Sequence, residues 1–227
     1  MPGFVVAIDG KAGSGKSTTA KGVAKKLGFF YLDTGAMYRA LTLKYIQTEG
    51  NHNIDFDIIN RLLRNTTIEL IPVGNSTKIL LDGTDVSKEI RTPEINELVS
   101  PISAIKEVRE WMVERQREIA KNRNIVCEGR DMATVVFPDA PIKIFMDASI
   151  EVRAQRRQKE LKESGIDISF EEILSNLGFR DEYDSSREHS PLKKAEDAIV
   201  IDTTNLTIEQ EIDLAEKIVR EKLHLSS

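Results

Sequence analysis

The sequence predicts an α/β fold: a five-stranded parallel sheet with helices on both faces and a small antiparallel β insertion. Three observations predict it. Phe4–Ile8, Phe29–Leu32, Ile125–Cys127, Ile142–Met146 and Ala198–Ile201 are short, continuously apolar runs, the pattern of strands buried on both faces of a sheet. Segments of helical composition separate these runs, as parallel pairing requires. One stretch of strand-like pieces, roughly residues 66–90, breaks that alternation.

The first run leads through Asp9 into Gly10-Lys11-Ala12-Gly13-Ser14-Gly15-Lys16-Ser17, which reads G-x-x-x-x-G-K-S. Thr18–Leu27 then has helical composition. Strand, glycine-rich loop and helix together make a phosphate-binding loop of the P-loop NTPase type. The glycines let backbone N–H groups turn onto phosphate oxygens, and the helix N-terminus adds partial positive charge. Gly10, Lys11, Ala12, Gly13, Ser14, Gly15, Lys16, Ser17 and Thr18 are therefore the candidates for holding the phosphates of a donor nucleotide. Lys16 reaches the β- and γ-phosphates, and the Ser17 hydroxyl suits Mg²⁺.

The second run ends at Asp33 and the third at Glu128-Gly129-Arg130-Asp131. Open parallel sheets bind ligands at the carboxyl ends of their strands, where these residues and Asp9 fall. Between them, Ile68–Ile71, Lys78–Leu81 and Thr84–Val86 read as short strands, separated by Gly74-Asn75 and Asp82-Gly83. Asp-Gly between two such runs is a strong two-residue hairpin signal. This insertion is expected to pack on the helix that follows, starting near Pro101 and carrying Ile102, Ile105, Val108, Met112 and Ile119 at helical spacing.

In the C-terminal third, Arg153, Arg156 and Arg157 line one helix face, and Arg180, Asp184 and Arg187 another. Lys162-Glu163-Ser164-Gly165 reads as the turn between them, and Ser169 with Glu172 as a capping box. Thr207–Leu223 is an amphipathic helix.

Composition narrows the function. The 227 residues, 40% hydrophobic, suit one globular unit with a small inserted part. A net charge of −5 argues against a general nucleic-acid surface, so an anionic ligand must be captured by local arginines. Cys127, in an apolar run, reads as a small core residue, and a lone cysteine fits a reducing, cytoplasmic setting. The N-terminal apolar run is too short for a signal peptide, and no run is long enough to span a membrane. His52, His189 and His224 are scattered, without metal-ligand spacing. Neither Asn-Lys-x-Asp nor Asp-x-x-Gly occurs, which argues against a GTPase, and no apolar run ends in the Asp-Glu of a motor or transporter ATPase.

Phosphoryl transfer rests on positioning and charge neutralisation. The donor needs the loop, Lys16 and Mg²⁺; an acceptor phosphate needs its own arginines; the transition state needs arginines that close over it. The chain offers all three groups.

Several segments together resemble the bacterial cytidylate kinases, within the nucleoside monophosphate kinases. They are Ile8–Ser17, Leu32-Asp33-Thr34-Gly35-Ala36-Met37-Tyr38-Arg39, Glu128-Gly129-Arg130-Asp131-Met132, Val135–Pro141 and Arg180–Arg187. The likeness runs to about residue 205, and the insertion fits the longer form of that family. It implies transfer of the ATP γ-phosphoryl group to CMP or dCMP, in a monomer whose partners are small nucleotides rather than nucleic acid or membrane. It also implies a core of residues 1–40, 120–150 and 178–227, an acceptor-nucleotide domain at 41–119 and a lid at 151–177.

By the same resemblance, Arg39 and Arg130 hold the acceptor phosphate, Tyr38 and Thr34 line its pocket, and Ser100, Arg109 and Asp131 read the cytosine edge. Arg180, Asp184 and Arg187 reach the acceptor sugar and phosphate. Arg153 and Arg157 close on the transferring group, with Lys16 and Arg130 as its other catalytic cations. Asp33 and Glu128 hold Mg²⁺ through water. A carboxylate at Asp131 suits the cytosine N4 donor and repels the uracil acceptor. Lys11, Thr34 and Glu128 stand where the family often has Pro, Ser and Asp. Two alternatives stay open: a kinase for UMP, dTMP or another small metabolite, and an ATP-binding regulatory protein without transfer activity.

Overall fold

The computed structural model of the chain describes residues 3–49, 54–73, 76–163 and 165–224. The expected Gly74-Asn75 turn, Ser164 and His52 lie outside the described residues. All five expected core strands form: β1 (Val5–Gly10), β2 (Phe30–Asp33), then, beyond three strands of the insertion, β6 (Ile125–Gly129), β7 (Ile142–Asp147) and β8 (Ile199–Asp202). They pair in parallel in the order β2-β6-β1-β7-β8. Strand order reverses at β1, so the carboxyl ends of β1 and its neighbours open a crevice there.

Both sheet faces are covered because each strand alternates apolar side chains across the plane. Val6, Ile8 and Val126 pack on α1 (Lys16–Leu27) and the C-terminal α8 (Ile208–Leu223) through Ala20, Val23, Ala24, Ala215 and Val219. Ala7, Ile125 and Cys127 face the opposite way, into a core shared with Met37, Leu41 and Tyr45 of α2 (Thr34–Glu49) and Val108 and Met112 of α5 (Lys106–Ala120). Cys127 is fully buried, the core residue its surroundings predict.

The insertion is a three-stranded antiparallel sheet, β3 (Ile68–Val73), β4 (Ser76–Leu81) and β5 (Thr84–Asp85), preceded by α3 (Phe56–Arg64). Asp82 and Gly83 take φ of 49° and 81°, the paired left-handed residues of a type I′ hairpin turn. Two expectations need correction. The insertion packs on α2, burying Ile68, Leu70, Ile79 and Leu81 against its core, rather than on the helix that follows. That region starts at Pro93 rather than near Pro101 and is two helices, α4 (Pro93–Ala104) and α5, broken where Ile105 turns extended (φ −66°, ψ 127°). Thr92 caps α4 and Pro93 occupies its first turn, a start signal stronger than the apolar stripe beyond it.

The C-terminal third forms α6 (Ile150–Glu163) and α7 (Phe170–Ser186), joined through Gly165 at φ 77°. The Ser169 hydroxyl accepts from the Glu172 N–H (3.1 Å), the first half of the expected box. Both halves are present at Thr207 and Gln210, which start α8. Ala154, Ile173 and Leu177 form a small cluster with Ala12, so the two helices rest on the phosphate-binding loop.

Candidate active site

The Gly10–Ser17 loop joins β1 to α1 at the crevice. Gly10 is obligatory there: a Cβ would lie 2.0 Å from the Met146 carbonyl on β7. Gly15, at φ 90°, is the N-cap of α1 and offers no side chain, so the first N–H groups of that helix stay available to an anion. The Ser17 and Thr18 side chains are exposed at this end, whereas Ser14 is buried with an unpartnered hydroxyl. Lys16 is buried and donates to the Lys11 carbonyl (2.6 Å). Burial, then the charge of Arg130, pushes the Lys16 ammonium down to about 7. Lys11 pairs instead with Asp147 at the end of β7 (3.3 Å).

Beside the loop lies an oxygen-rich corner. The Ser17 hydroxyl donates to Glu128 Oε1 (2.7 Å), and the Thr34 hydroxyl to the Glu128 carbonyl (2.7 Å). Asp33 accepts from the Ala36 N–H (2.8 Å), and burial followed by the charge of Glu128 raises its carboxyl. Two carboxylates close enough to repel, with a hydroxyl between strand ends, are the hard-oxygen set a Mg²⁺ ion takes. Tyr31 adds a hydroxyl 3.4 Å from Glu128 Oε1. Among the described residues no group of three or more His, Cys, Asp or Glu forms a dedicated metal cage.

Across the crevice the expected acceptor residues converge. Arg130 donates through Nε to Asp184 (2.7 Å). Burial alone would raise the Asp184 carboxyl, but Arg130, Arg187 and Arg180 hold it below its usual range. Burial and then Arg130 push Arg180 down to about 10, with Arg39 and Arg157 adding to the repulsion. Burial and the neighbouring Arg91 and Arg130 likewise lower Arg39, against the opposing pull of Asp33. Arg109, on α5, binds the Ser103 carbonyl (3.0 Å) and ion-pairs with Asp131, both side chains being almost wholly buried. Its guanidinium also lies 5.5 Å from the Tyr38 ring centre. Ser100 is buried on α4. Arg187 lies just beyond the end of α7 rather than on its face, and binds the Ser190 carbonyl (2.6 Å). Tyr38 Oη, Arg109 Nε, Arg180 Nε and one Arg187 terminal nitrogen are buried without hydrogen-bond partners. Such groups are costly unless something polar completes them.

The three arginines of α6 separate. Arg153 is not free to move: it is buried and binds the Ala148 carbonyl (3.0 Å), the Ala12 carbonyl (3.1 Å) and Asp181 (2.7 Å). Arg156 faces away from the crevice, toward Thr203 and Glu211. Arg157 alone combines a solvent-exposed partner, Glu160 (2.7 Å), with an electrostatic effect on Arg180.

Sequence reasoning placed Asp9 at this strand end but not what it holds, and missed Gln116 and Arg91 altogether. Asp9 accepts from the Met132 and Ala133 N–H groups (2.9 and 2.8 Å), holding a π-helical turn, Met132–Val136, directly after Asp131. Gln116 is fully buried beside Tyr38, one helical face along from Arg109. Arg91, contributed by the end of the insertion, adds charge beside Asp33 and Arg39. The i, i+7 spacing of Arg109 and Gln116 was a usable signal; the other two are visible only in three dimensions.

The family model described as cytidylate kinase matches residues 6–221. A cytidylate kinase of Carboxydothermus hydrogenoformans is 50% identical over 218 residues, covering 96% of this chain and 97% of that protein. One from Thermosipho melanesiensis is 51% identical over 220 residues, covering 97% and 98%. Among solved structures, a gluconokinase from Sinorhizobium meliloti 1021 aligns over 99% of this chain and 95% of its own, at 15% identity and a TM-score of 0.49.

Proposed function

This chain belongs to the cytidylate kinase family, and on that premise we propose that it transfers the γ-phosphoryl group of ATP to CMP or dCMP, giving ADP and CDP or dCDP. The observation that carries the reading is the gathering of Lys16, Arg39 and Arg180 around Arg130 at one crevice, where burial and then the Arg130 charge among others lower the protonation of the other three. Like charges are held so close only where an anion completes them, and a phosphoryl group passing between two nucleotides is such an anion.

The donor triphosphate lies in the Gly10–Thr18 loop, with Lys16 released from the Lys11 carbonyl to the β- and γ-phosphates. Ser17, Asp33 and Glu128 would hold Mg²⁺, which would supply neutralisation of phosphate charge. Arg39 and Arg130 hold the acceptor phosphate, and Asp184 keeps the Arg130 guanidinium aimed. Arg180 and Arg187 supply the remaining donors to the acceptor's sugar and phosphate. Ser100, Arg109 and Asp131 read the base, and Tyr38 and Thr34 line the acceptor-phosphate pocket. Residues 151–177 act as the lid over the core, and 41–119 as the acceptor-nucleotide domain. Within the lid we assign closure on the transferring group to Arg157; the fixed contacts of Arg153 make it a post on which the lid rests against the donor loop. We propose further that it acts as a monomer in the cytoplasm, where its nucleotide substrates are found.

The test is ADP release from ATP, with Mg²⁺, against every ribo- and deoxyribonucleoside monophosphate. CMP and dCMP should be the best acceptors, and activity should vanish in excess chelator and return with Mg²⁺. Equal turnover of UMP, or ATP binding with no acceptor-dependent ADP, would overturn the assignment.

A further inference from the structure

Behind the donor loop, on the side away from the crevice, lies a buried polar network that the transfer reaction itself does not require. Glu211, on the first turn of α8, is almost wholly buried. Its Oε2 accepts from the Thr19 hydroxyl on α1 (3.1 Å), and its Oε1 from Arg156 on α6 (2.8 Å). Arg156 also donates to the Thr203 hydroxyl (3.1 Å), the Thr203 carbonyl (2.8 Å) and the Leu206 carbonyl (3.4 Å). The Thr203 hydroxyl in turn lies within donating distance of the Ser14 carbonyl (3.0 Å) and the Asp147 carbonyl (3.2 Å). Glu211 also abuts the loop: a Cβ on Gly15 would come within 2.3 Å of its Oε2.

The network therefore reaches the donor loop at Ser14, Gly15 and Thr19, and ties those points to the root of the lid helix. We propose that the Arg156–Glu211 pair is a positioning strut for the donor nucleotide: it fixes the back of the phosphate loop and joins it to α6, so that loop and lid share one frame. The assignment rests on the reading of Gly10–Thr18 as the ATP site. A buried ion pair is weak as a source of stability, because desolvation offsets its attraction, whereas its directional bonds over-determine the geometry they span. No part of the network touches Arg109, Asp131 or Arg130, so its effect falls on ATP and not on the acceptor.

The test is steady-state kinetics with each substrate varied in turn, on Glu211→Gln, Thr19→Val and Arg156→Met and on the Arg156→Met/Glu211→Gln double variant, with thermal melts alongside. Glu211→Gln should raise the KM for ATP about tenfold, the factor that losing one charged hydrogen bond is worth. The KM for CMP should stay within about twofold. Thr19→Val, which removes one hydroxyl at nearly constant volume, should shift the KM for ATP the same way by about threefold. The double variant should be no worse than Arg156→Met alone, the signature of residues acting as a pair. Equal rises in both KM values, or an unchanged KM for ATP in a folded variant, would overturn the proposal. Should Glu211→Gln fail to fold, Thr19→Val decides by the same criterion. Failure of the donor-site reading is distinguishable, since the wild type would then show no ATP-dependent transfer at all.

Discussion

Asp131 is the residue whose replacement separates base recognition from mere orientation. Its carboxylate sits among almost fully buried groups and takes the Arg109 guanidinium, which is anchored on its other side by the Ser103 carbonyl. Asp131→Asn keeps the shape and can still accept one bond from Arg109, but removes the carboxylate charge ion-paired to that guanidinium. Stripping one partner from a buried pair costs about 3–5 kcal/mol, and the retained amide bond should bring this nearer 2 kcal/mol. For a chain of this length that is a fall in Tm of about 4–8 °C. If Asp131 also accepts the cytosine amino group, the variant should lose kcat/KM for CMP far more than for UMP. The preference should narrow by about 1–3 kcal/mol, roughly fivefold to 150-fold. The assay is kcat/KM for both nucleotides in wild type and variant, with melting curves to confirm folding at the assay temperature. A lowered Tm with an unchanged CMP-to-UMP ratio would refute base reading by Asp131 and leave it as the residue that aims Arg109.

Lys16→Ala should lower kcat by about 10²–10³ with the fold retained, because it deletes a charge aimed at the developing phosphate charge; near-normal turnover in a folded variant would remove this loop from the donor site. Arg157→Ala should lower kcat much more than it raises the KM for CMP, since its contact belongs to the closed state, while Arg39→Ala should raise that KM strongly. Arg153→Ala, by contrast, should lower Tm as well as kcat, because it leaves Asp181 and two carbonyls unpartnered; an unchanged melt would contradict its role as a post. Burial raises the Asp9 carboxyl to about 6, so the folded state holds its proton more tightly than the unfolded state does. That contribution destabilises the fold above pH 6 and is relieved as pH falls toward 4. Wild type should therefore gain Tm relative to Asp9→Asn between pH 7 and pH 4; parallel profiles would show that Asp9 does not titrate there.

The sheet was legible because its strands are buried on both faces and so carry uninterrupted apolar runs, and because Asp82-Gly83 admits one turn type. The start of α4 was misread although Thr92-Pro93 signals it, because the apolar stripe from Ile102 to Ile119 drew the eye and hid the break at Ile105: both helices place their apolar residues toward the same core. The docking of the insertion on α2 could not be read, since α2 is apolar around most of its circumference and announces no preferred face. At the site, motif spacing identified which residues carry charge. It could not say that Arg153, Arg156 and Arg157, three arginines within five positions, point into three environments. That is a matter of what α6 packs against: the donor loop under Arg153, the Thr203 turn and α8 under Arg156, and solvent beside Arg157.

This division explains how a chain of net charge −5 builds a site for polyanions. The anion-facing cations are each held from behind by a fixed acceptor: Lys16 by a loop carbonyl, Arg130 by Asp184, Arg109 by Asp131 and a carbonyl. Carboxylates thus aim cations without filling the crevice, and the remaining donor atoms of Arg109, Arg180 and Arg187 are left buried and unpartnered. Burial, and after it the charge of Arg130, hold the Lys16 ammonium down to about 7, a cost that a phosphate beside it would offset. In the proposed reaction the two nucleotides offset that cost, so charges that cost stability in the empty protein become ones that stabilise the transition state.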